Sequence, residues 1–495
     1  MNKHANNIPC GETIPANNPH AVSVSLPTIQ EVIDYEEGDH LVRSKMKSGY
    51  PRFFCNHWVR ELVNGIKLQH AISDDQQILP ITSLQAKALM ERVFEQEFEY
   101  IDDREGNVFL IIHNSDPNLK QYLDFIRNVG LIISSRKAEA TLVALKRKEA
   151  VFVEEQLELE TAKQTIVDTL SEAYGTTKET IVLANNGMNA LYTATEALVN
   201  QQKQFGKYKV VQLGWLYVDS MEIVQRYQGS YIHKDSRNLD ELEQWLATNH
   251  SEVAVLVTES VSNPLLQCVD LPRLYELCRQ YEVKLLVDNT LATPFCVTVL
   301  PYSDLVVESL TKFACGNADL LMGAIIGKEA NKEVVEGCKQ NAIPPFEGEI
   351  KRLGFQIKGY RQRVQKSAEN TIQLYDFLKT HPKIVELKTV MHPDNWESFS
   401  KIKKGEAIPG LIAMVFDKEL SHYYDQLPLA KGPSLGTTFT LAMPYVFLAH
   451  YEETKSQQGL DKLSELGINP NLLRVSVGTE PIEDIMAAFQ AILED

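Results

Sequence analysis

Four short and almost wholly apolar segments follow one another between residues 253 and 327: VAVLVTES, VKLLVDNT, DLVVESL and ADLLMGAIIG. Each has the length of a strand, and the helix-like stretch LPRLYELCRQYE lies between the first two. A strand that is apolar throughout must be buried on both faces, as strands are in a parallel sheet with helices on each side. The sequence therefore predicts an α/β protein built on a mostly parallel sheet.

The pattern divides the chain into three regions. Strand and helix alternate regularly over residues 149–350, which we assign to a large domain. Residues 351–495 start with a long helix and continue with separated strands, which predicts a smaller α+β domain. Residues 1–148 form an N-terminal extension, in which residues 1–30 are an arm and the rest is a small α/β region. The arm either lies on other structure or forms a free tail.

Composition excludes several classes of function. Acidic residues number 66 and basic residues 49, so the net charge is −17 and a nucleic-acid backbone would be repelled. No stretch reaches 18 uninterrupted apolar residues, so no membrane partner is expected. Seven cysteines are scattered without metal-ligand or disulfide spacing, and the N-terminus lacks an apolar signal-peptide core. We therefore expect a cytoplasmic protein without a metal site.

Chemistry-bearing residues follow three of the predicted strands, where ligands gather in an open α/β sheet. Gly187 and Met188 open a helix after TIVLAN, and their N–H groups either bind phosphate or belong to an ordinary turn. Asp288 ends VKLLVD and is either a buried carboxylate with a cationic partner or a cap. Lys312 follows DLVVES among apolar neighbours and is either a desolvated nucleophile or a surface lysine.

Taken together, these three features favour one cofactor. Pyridoxal 5′-phosphate (PLP) requires phosphate donors, a lysine amine for its aldehyde, and an acid that keeps its ring nitrogen protonated so that the ring accepts electrons. The sequence therefore predicts a PLP site at the carboxyl ends of the strands.

The same region resembles a known family. The motifs SNP, DNT, S-x-T-K and RVSVGTE, in this order over residues 150–495, are similar to the Cys/Met-metabolism PLP enzymes of the cystathionine γ-synthase family. The segments PHAVSVSLPT, YEEGD, GYPRFF, ISSRKAE and SLGTTFTLAMPYVFLAHY resemble its fungal branch, which has a similar N-terminal extension. The resemblance implies the aspartate-aminotransferase-like fold, known as fold type I, and PLP as the cofactor.

The resemblance also implies roles for individual residues. Lys312 matches the lysine that binds PLP covalently and moves substrate protons, and Asp288 matches the partner of the ring nitrogen. The other cofactor contacts would be Gly187 and Met188 through backbone N–H groups, Ser309 and Thr311 through hydroxyls, Tyr217 stacked on the ring, and Asn263 near its phenolic oxygen. Tyr217 is also a candidate catalytic acid or base. Arg474 matches the residue that binds the substrate α-carboxylate, and Ser434 lines the same pocket.

The sequence departs from the family pattern in several ways, of which NNGM in place of the usual SGM is the mildest. Relatives supply a Tyr-x-Arg motif to the phosphate from the neighbouring subunit; Tyr50 and Arg52 have that spacing but lie 135 residues before Gly187, counted from Arg52. Arg136 is a rival for the same role. Phe439 occupies the position of a glutamate that influences the choice of reaction in relatives, so specificity stays open.

The resemblance implies replacement of the acyloxy group of an O-acylhomoserine by cysteine, giving cystathionine, as in transsulfuration and methionine biosynthesis. Two alternatives stay open: a PLP-dependent C–S lyase that acts on cystathionine or methionine, and a catalytically silent binding protein of the same fold. The expected partners are small amino-acid substrates and further copies of the chain, in a homodimer or homotetramer.

Overall fold

The N-terminal region combines a short hairpin, several helices and an antiparallel three-stranded sheet in the order β3–β5–β4. The computed structural model describes residues 8–233 and 235–494. Strand β5 and helix α5 occupy the segments EGNVFLIIHN and NLKQYLDFIRNVG, for which the sequence predicts a strand and a helix. The elements are β1 (Thr13–Ile14), β2 (Ser23–Val24), α1 (Ile29–Glu37), α2 (His40–Lys45), α3 (His57–Gln69), β3 (Gln76–Ile81), α4 (Leu84–Phe94), β4 (Tyr100–Asp102), β5 (Val108–His113), α5 (Leu119–Val129) and α6 (Ser135–Ala144).

The arm lies on the rest of the chain. The backbone N–H of Val22 donates to the carbonyl of Ala318 at 2.7 Å, and that of Leu26 donates to the carbonyl of Lys431 at 3.0 Å. Of the two alternatives for the arm, the free tail therefore does not apply to the part that the structure describes. The prediction for residues 1–7 lies outside the described residues.

The large domain is a seven-stranded sheet in the order β6–β12–β11–β10–β9–β7–β8. Strand β12 runs antiparallel to both its neighbours, and the other pairings are parallel, so the sheet is mostly parallel as predicted. The elements of this region are α7 (Leu159–Tyr174), β6 (Ile181–Ala184), α8 (Gly187–Lys203), β7 (Lys209–Leu213), α9 (Val218–Gln225), β8 (Tyr231–His233), α10 (Leu239–Asn249), β9 (Val253–Glu259), α11 (Leu271–Gln280), β10 (Lys284–Asp288), α12 (Thr293–Cys296), β11 (Leu305–Ser309), β12 (Gly323–Ile326), α13 (Lys332–Asn341) and α14 (Glu347–Gln356). The long helix α15 (Tyr360–Leu378) follows and packs on the small domain.

The apolar strands are buried on both faces of this sheet. In β10, Leu285 and Val287 pack into one hydrophobic core, and Leu286 points into the core on the opposite face. This two-sided burial explains why the strand sequences show no polar alternation. Strands β9, β10 and β11 end at Glu259, Asp288 and Ser309, so the parallel arrangement brings these three polar side chains to one edge of the sheet.

The small domain contains a five-stranded, mainly antiparallel sheet in the order β13–β14–β17–β16–β15. The two main sheets lie within the predicted domain limits, but the limits themselves stay predictions. None of the helices in the described ranges is long and apolar enough to cross a membrane. The elements are β13 (Ile384–Lys388), α16 (Pro393–Ile402), β14 (Leu411–Phe416), α17 (Leu420–Tyr424), β15 (Ala430–Lys431), β16 (Leu441–Pro444), α18 (Tyr445–Ala449), α19 (Tyr451–Thr454), α20 (Gln457–Glu465), β17 (Leu473–Ser476) and α21 (Ile482–Leu493).

Candidate active site

A cavity of about 690 Å³ lies where the large sheet, the small domain and the N-terminal extension meet. Eleven of the twelve site residues predicted from the sequence line it: Tyr50, Arg52, Gly187, Met188, Tyr217, Asn263, Asp288, Ser309, Lys312, Ser434 and Arg474. The twelfth, Thr311, is buried beside the cavity, and its hydroxyl accepts a hydrogen bond from the backbone N–H of Met322 at 3.2 Å. A phosphate contact from Thr311 stays a prediction.

One end of the cavity is the first turn of helix α8. Asn186 is the N-cap, and its side chain accepts a hydrogen bond from the N–H of Asn189 at 2.9 Å. The N–H groups of Gly187 and Met188 have no partner within the helix, because the first residues of any helix lack one. These donors, together with the helix dipole, form an anion-binding end of the cavity.

Gly187 allows the start of helix α8 to pack closely against Ser309, where a larger residue would not fit. A Cβ atom at this position would lie 2.7 Å from Cβ and 2.9 Å from Oγ of Ser309, the residue that ends β11. We expect Gly187→Ala to weaken PLP binding about 10- to 100-fold, since overpacking of this size costs about 1–3 kcal/mol. Equilibrium dialysis measures this affinity. The matched control is Gly337→Ala, where a new Cβ meets no atom within 4 Å; equal losses in both variants would contradict a phosphate cradle at Gly187.

Lys312 points into the same cavity. Its Nζ donates to the hydroxyl of Ser434 at 3.2 Å and lies 4.5 Å from the centroid of the Tyr50 ring. Burial lowers the pKa of the Lys312 amine, which increases the fraction of neutral, nucleophilic amine. Burial alone would raise the pKa of the Tyr50 phenol, but the charges of Lys312 and Arg52 bring it below its ordinary value.

Asp288 provides the acid of the site. Its carboxylate accepts a hydrogen bond from the N–H of Thr290 at 2.8 Å, and it forms no ion pair with any lysine, arginine or histidine of the described ranges. Burial raises the pKa of the Asp288 carboxyl. A half-buried carboxyl without a cation is unfavourable, so the placement of Asp288 fits a cationic group that enters the cavity.

Two further carboxyl groups in and beside the cavity were not predicted from the sequence. Glu259 accepts hydrogen bonds from the N–H of Tyr217 at 2.7 Å and from that of Asn263 at 3.1 Å, so it holds both loops in place. Burial and the nearby Asp288 raise its pKa well above the ordinary value. The sequence did contain a signal for Glu259, because this residue ends the apolar run VAVLVTE in the same way that Asp288 ends VKLLVD.

Glu308, the second missed carboxyl, lies behind Asp288. It accepts hydrogen bonds from the phenols of Tyr174 at 2.6 Å and Tyr360 at 2.7 Å. Its side chain is fully buried, and burial raises its pKa from 4.5 to about 7.

A raised carboxyl pKa means that the folded protein binds more protons than the unfolded chain between pH 4.5 and pH 7. The contribution of Glu308 to stability is therefore present below pH 4.5 and is lost as the pH rises through about 7, by ~3 kcal/mol in total. Urea unfolding from pH 5 to pH 8 should show a smaller loss of stability for Glu308→Gln than for the wild type, because Glu259 and Asp288, whose pKa values are also raised, contribute to the loss in both proteins. The exposed Glu276→Gln variant should follow the wild type; a parallel decline in Glu308→Gln would contradict the assignment.

Arg474 and Lys312 both form a hydrogen bond with Ser434. The Arg474 guanidinium donates from Nη2 to the carbonyl of Ser434 at 2.5 Å and from Nη1 to Oδ1 of Asn263 at 3.2 Å. Its Nε has no hydrogen-bond partner, although the residue is 4% exposed. Burial lowers the pKa of Arg474 to about 10, so it stays protonated near neutral pH. A buried cation with no acidic partner in the described ranges fits an anionic ligand group.

Tyr50 and Arg52 reach the cavity from the same chain. Arg52 forms a buried ion pair with Asp219, and its Nη2 donates to the Tyr217 phenol at 2.6 Å. Arg136, the rival for this role, does not line the cavity; it is held in a buried cluster with Glu154 at 2.6 Å and with other carboxylates. Arg136 therefore does not contact the cavity of its own chain, and its role toward a neighbouring subunit stays a prediction.

The fold and the cavity define a class of protein. A half-buried amine, a carboxyl and a helix N-terminus surround one cavity at the carboxyl edge of a mostly parallel sheet, which is the arrangement of a PLP-dependent enzyme. The residues present fit PLP: the free N–H groups of Gly187 and Met188 would hold the phosphate, Asp288 would face a protonated ring nitrogen, and Lys312 would hold the aldehyde.

Comparison with known proteins specifies the class further. The family model described as Cys/Met metabolism PLP-dependent enzyme matches residues 161–494. The L-2-amino-4-chloropent-4-enoate dechlorinase/desaturase of Streptantibioticus cattleyicolor is 31% identical over 486 residues, which cover 95% of each chain. The cystathionine gamma-synthase of Neurospora crassa is 26% identical over 615 aligned residues, covering 98% of each chain.

A solved structure agrees with these matches in fold. The cystathionine gamma synthase from Xanthomonas oryzae pv. oryzae, in complex with aminoacrylate and cysteine, has a TM-score of 0.58 at 20% identity. The match covers 68% of this chain and 87% of that chain. The chain belongs to the Cys/Met-metabolism family of PLP-dependent enzymes, as the sequence motifs predicted.

Proposed function

We propose that the enzyme replaces the γ-acyloxy group of an O-acylhomoserine by the thiol of cysteine and forms cystathionine. The carbon–oxygen bond at Cγ breaks, a carbon–sulfur bond forms there, and the thiol proton leaves with the carboxylic acid. The near full-length match to a cystathionine gamma-synthase supports this choice. The acyl group is not specified by any residue named above.

The observation that carries the proposal is the position of Ser434 between Lys312 and Arg474. The hydroxyl of Ser434 accepts from the Lys312 amine, and its carbonyl accepts from Arg474. The backbone at Ser434 has a φ of 93°, a conformation unfavourable for residues other than glycine and typical of constrained functional sites. An α-amino acid whose carboxylate binds Arg474 would have its α-carbon near the Lys312 amine.

The residues of the cavity then have separate tasks. The Arg474 fork orients the substrate by its carboxylate, since guanidinium and carboxylate match in a bidentate geometry. PLP, when bound, supplies the electron sink for removal of the α-proton. The Lys312 amine takes that proton and returns it at the end, and the low pKa of the amine suits it to general-base catalysis. The Tyr217 phenol, oriented by Arg52, is a second candidate for proton transfer.

A second candidate is elimination at the γ-position without replacement, or cleavage of a C–S bond. It is favoured by the relative that is named for dechlorination and desaturation of an amino acid. Phe439 packs beside Ile14, Ala430 and Leu441 instead of lining the cavity, so it favours neither reaction. The same Lys312 and Arg474 would serve both reactions.

A panel of substrates tests the choice. The purified PLP-loaded enzyme is incubated with O-acetylhomoserine or O-succinylhomoserine, each with and without cysteine, and with cystathionine or L-2-amino-4-chloropent-4-enoate alone. We expect cystathionine to form only when both an O-acylhomoserine and cysteine are present. Rapid release of a keto acid from cystathionine alone, or of chloride from the chlorinated amino acid, would favour the second candidate and contradict replacement. Loss of all these products in Lys312→Ala shows that they come from this site.

A further inference from the structure

The carboxyl of Glu308 lies behind the acid of the site, on the opposite face of the large sheet. Side chains alternate along a strand, so Glu308 lies on the face of Val306, whereas Asp288 lies on the face of Leu286. Val306 and Leu286 pack into the two different hydrophobic cores that cover the sheet. Glu308 does not line the cavity, so any effect it has on a ligand must pass through other residues.

Two phenols hold the Glu308 carboxyl in place. Tyr174 at the end of α7 donates to one carboxyl oxygen at 2.6 Å, and Tyr360 at the start of α15 donates to the other at 2.7 Å. The residue is 1% exposed, and no lysine, arginine or histidine of the described ranges is paired with it. A buried carboxyl without a cation is unfavourable for stability, and such groups cluster at functional sites.

Hydrogen bonds connect Glu308 to the turn that carries Asp288. The Tyr174 phenol, which donates to Glu308, accepts from the side-chain amide of Asn289 at 3.3 Å. The other end of that amide accepts from the Ser260 hydroxyl at 2.7 Å, and both Asn289 and Ser260 are fully buried. A buried amide with partners at both ends has one preferred orientation. Because Asn289 follows Asp288 directly, the network fixes the chain where Asp288 enters the cavity.

Backbone hydrogen bonds tie the same turn to both neighbouring strands. The N–H of Ser260, just beyond β9, donates to the carbonyl of Asp288 at 2.9 Å, and the N–H of Asn289 donates to the carbonyl of Val307 in β11 at 2.9 Å. The Asp288 carboxylate itself accepts from a backbone N–H of the turn. The direction of this carboxylate therefore follows the conformation of residues 288–290, which Asn289 fixes from the opposite face.

We propose that Glu308 is a positioning residue for Asp288, which it holds opposite the ring nitrogen of bound PLP. It acts through the Tyr174 phenol and the Asn289 amide. A carboxylate suits this task because it accepts from two phenols at once, whereas the amide of glutamine has one acceptor oxygen. The inference rests on the assignment of Asp288 to the ring nitrogen and is independent of the choice between replacement and elimination.

Two forms of the cofactor test the proposal: PLP and its deaza analogue, in which carbon replaces the ring nitrogen. Each is titrated into the cofactor-free full-length enzyme, borohydride fixes the bound aldehyde, and mass spectrometry gives the labelled fraction of Lys312. We expect Glu308→Gln to lower the affinity for PLP about three- to tenfold, the range of one hydrogen bond, and that for the analogue less than about twofold. Equal losses for both cofactors, as a merely structural role predicts, or no loss for PLP, would overturn the proposal.

A double-mutant cycle shows whether the effect passes through Asp288. We expect Asp288→Asn to weaken PLP more than the analogue, and Glu308→Gln to lower the PLP affinity no further when Asp288→Asn is already present. Fully additive losses would mean that Glu308 acts by another route and would overturn the proposal. If Asp288→Asn weakens both cofactors equally, the assignment of Asp288 fails and the proposal fails with it.

A second variant tests the connecting residue and keeps the carboxyl. Tyr174→Phe removes the oxygen between Glu308 and Asn289, so it should show the same selective loss for PLP, also if Glu308→Gln does not fold. Equal effects of Tyr174→Phe on both cofactors would contradict this route. The exposed Glu276→Gln is the control and should bind both cofactors as the wild type does. The labelling needs no substrate, so a failed substrate panel with unchanged labelling overturns the proposed reaction alone.

Discussion

Lys312→Ala is expected to lower kcat/KM by at least about 10⁴-fold, to the background of the assay. In the proposed role, the Lys312 amine both binds PLP covalently and moves the α-proton, so the alanine variant loses two functions at once. Its fold should persist, because the amine contacts only the hydroxyls of Ser434 and Tyr50 and forms no ion pair with residues of the described ranges. Steady-state kinetics with O-acylhomoserine and cysteine measures the loss, and circular dichroism verifies the fold.

The matched control is Lys358→Ala, since Lys358 is exposed and lies away from the cavity. It should retain the activity and the visible absorbance of the bound cofactor. If Lys312→Ala keeps more than about one-hundredth of the wild-type rate with its fold intact, which is less loss than general acid–base catalysis alone supplies, then Lys312 is not the central amine. A wild-type protein that takes up no PLP would support the silent-protein alternative.

Arg474→Ala is expected to lower kcat/KM by about 10²- to 10⁴-fold, because two charge-assisted hydrogen bonds contribute about 1.5–3 kcal/mol each. Most of the loss should appear as a higher KM, since the carboxylate is bound in the ground state as well as in the transition state. PLP affinity should change little, because the proposed phosphate contacts are at Gly187 and Met188.

A substrate analogue separates this role from a structural one. The analogue is an O-acylhomoserine without its α-carboxylate, which leaves a simple amine. It should react poorly with the wild-type enzyme, and Arg474→Ala should lower its kcat/KM only slightly further. Arg474→Lys keeps the charge but not the fork, and its activity should lie between those of the wild type and the alanine variant. Equal losses for the amine and the amino acid in Arg474→Ala would mean that Arg474 supports the fold of β17 and not the substrate.

Much of the fold follows from the sequence, because burial leaves a clear pattern in parallel strands. The runs that became β9, β10 and β11 are apolar on both faces, and their polar last residues indicated where a ligand would bind. The antiparallel direction of β12 has no such signal, since an apolar run does not encode its direction. The contact of the arm with Ala318 and Lys431 uses backbone groups, so side-chain patterns could not predict it.

The site was predictable in part for the same reason. Asp288 and Lys312 could be recognised because a charged residue next to a buried strand is unfavourable unless it has a partner or a ligand. Glu308 lies within an apolar run in the same way, but its partners Tyr174 and Tyr360 are distant in sequence, and so the network was missed. The motif of Tyr50 and Arg52 was noticed by its spacing, whereas its position at the cavity depends on tertiary packing.

The most direct test of the account is to find which lysine holds the cofactor. The wild-type enzyme is loaded with PLP, reduced with borohydride, digested and analysed by mass spectrometry. The account predicts a pyridoxyl group on the peptide that contains Lys312, at one per chain, and its loss in Lys312→Arg. A pyridoxyl group on another lysine in the wild type, or none at saturating PLP, would contradict the assignment of this cavity as the active site.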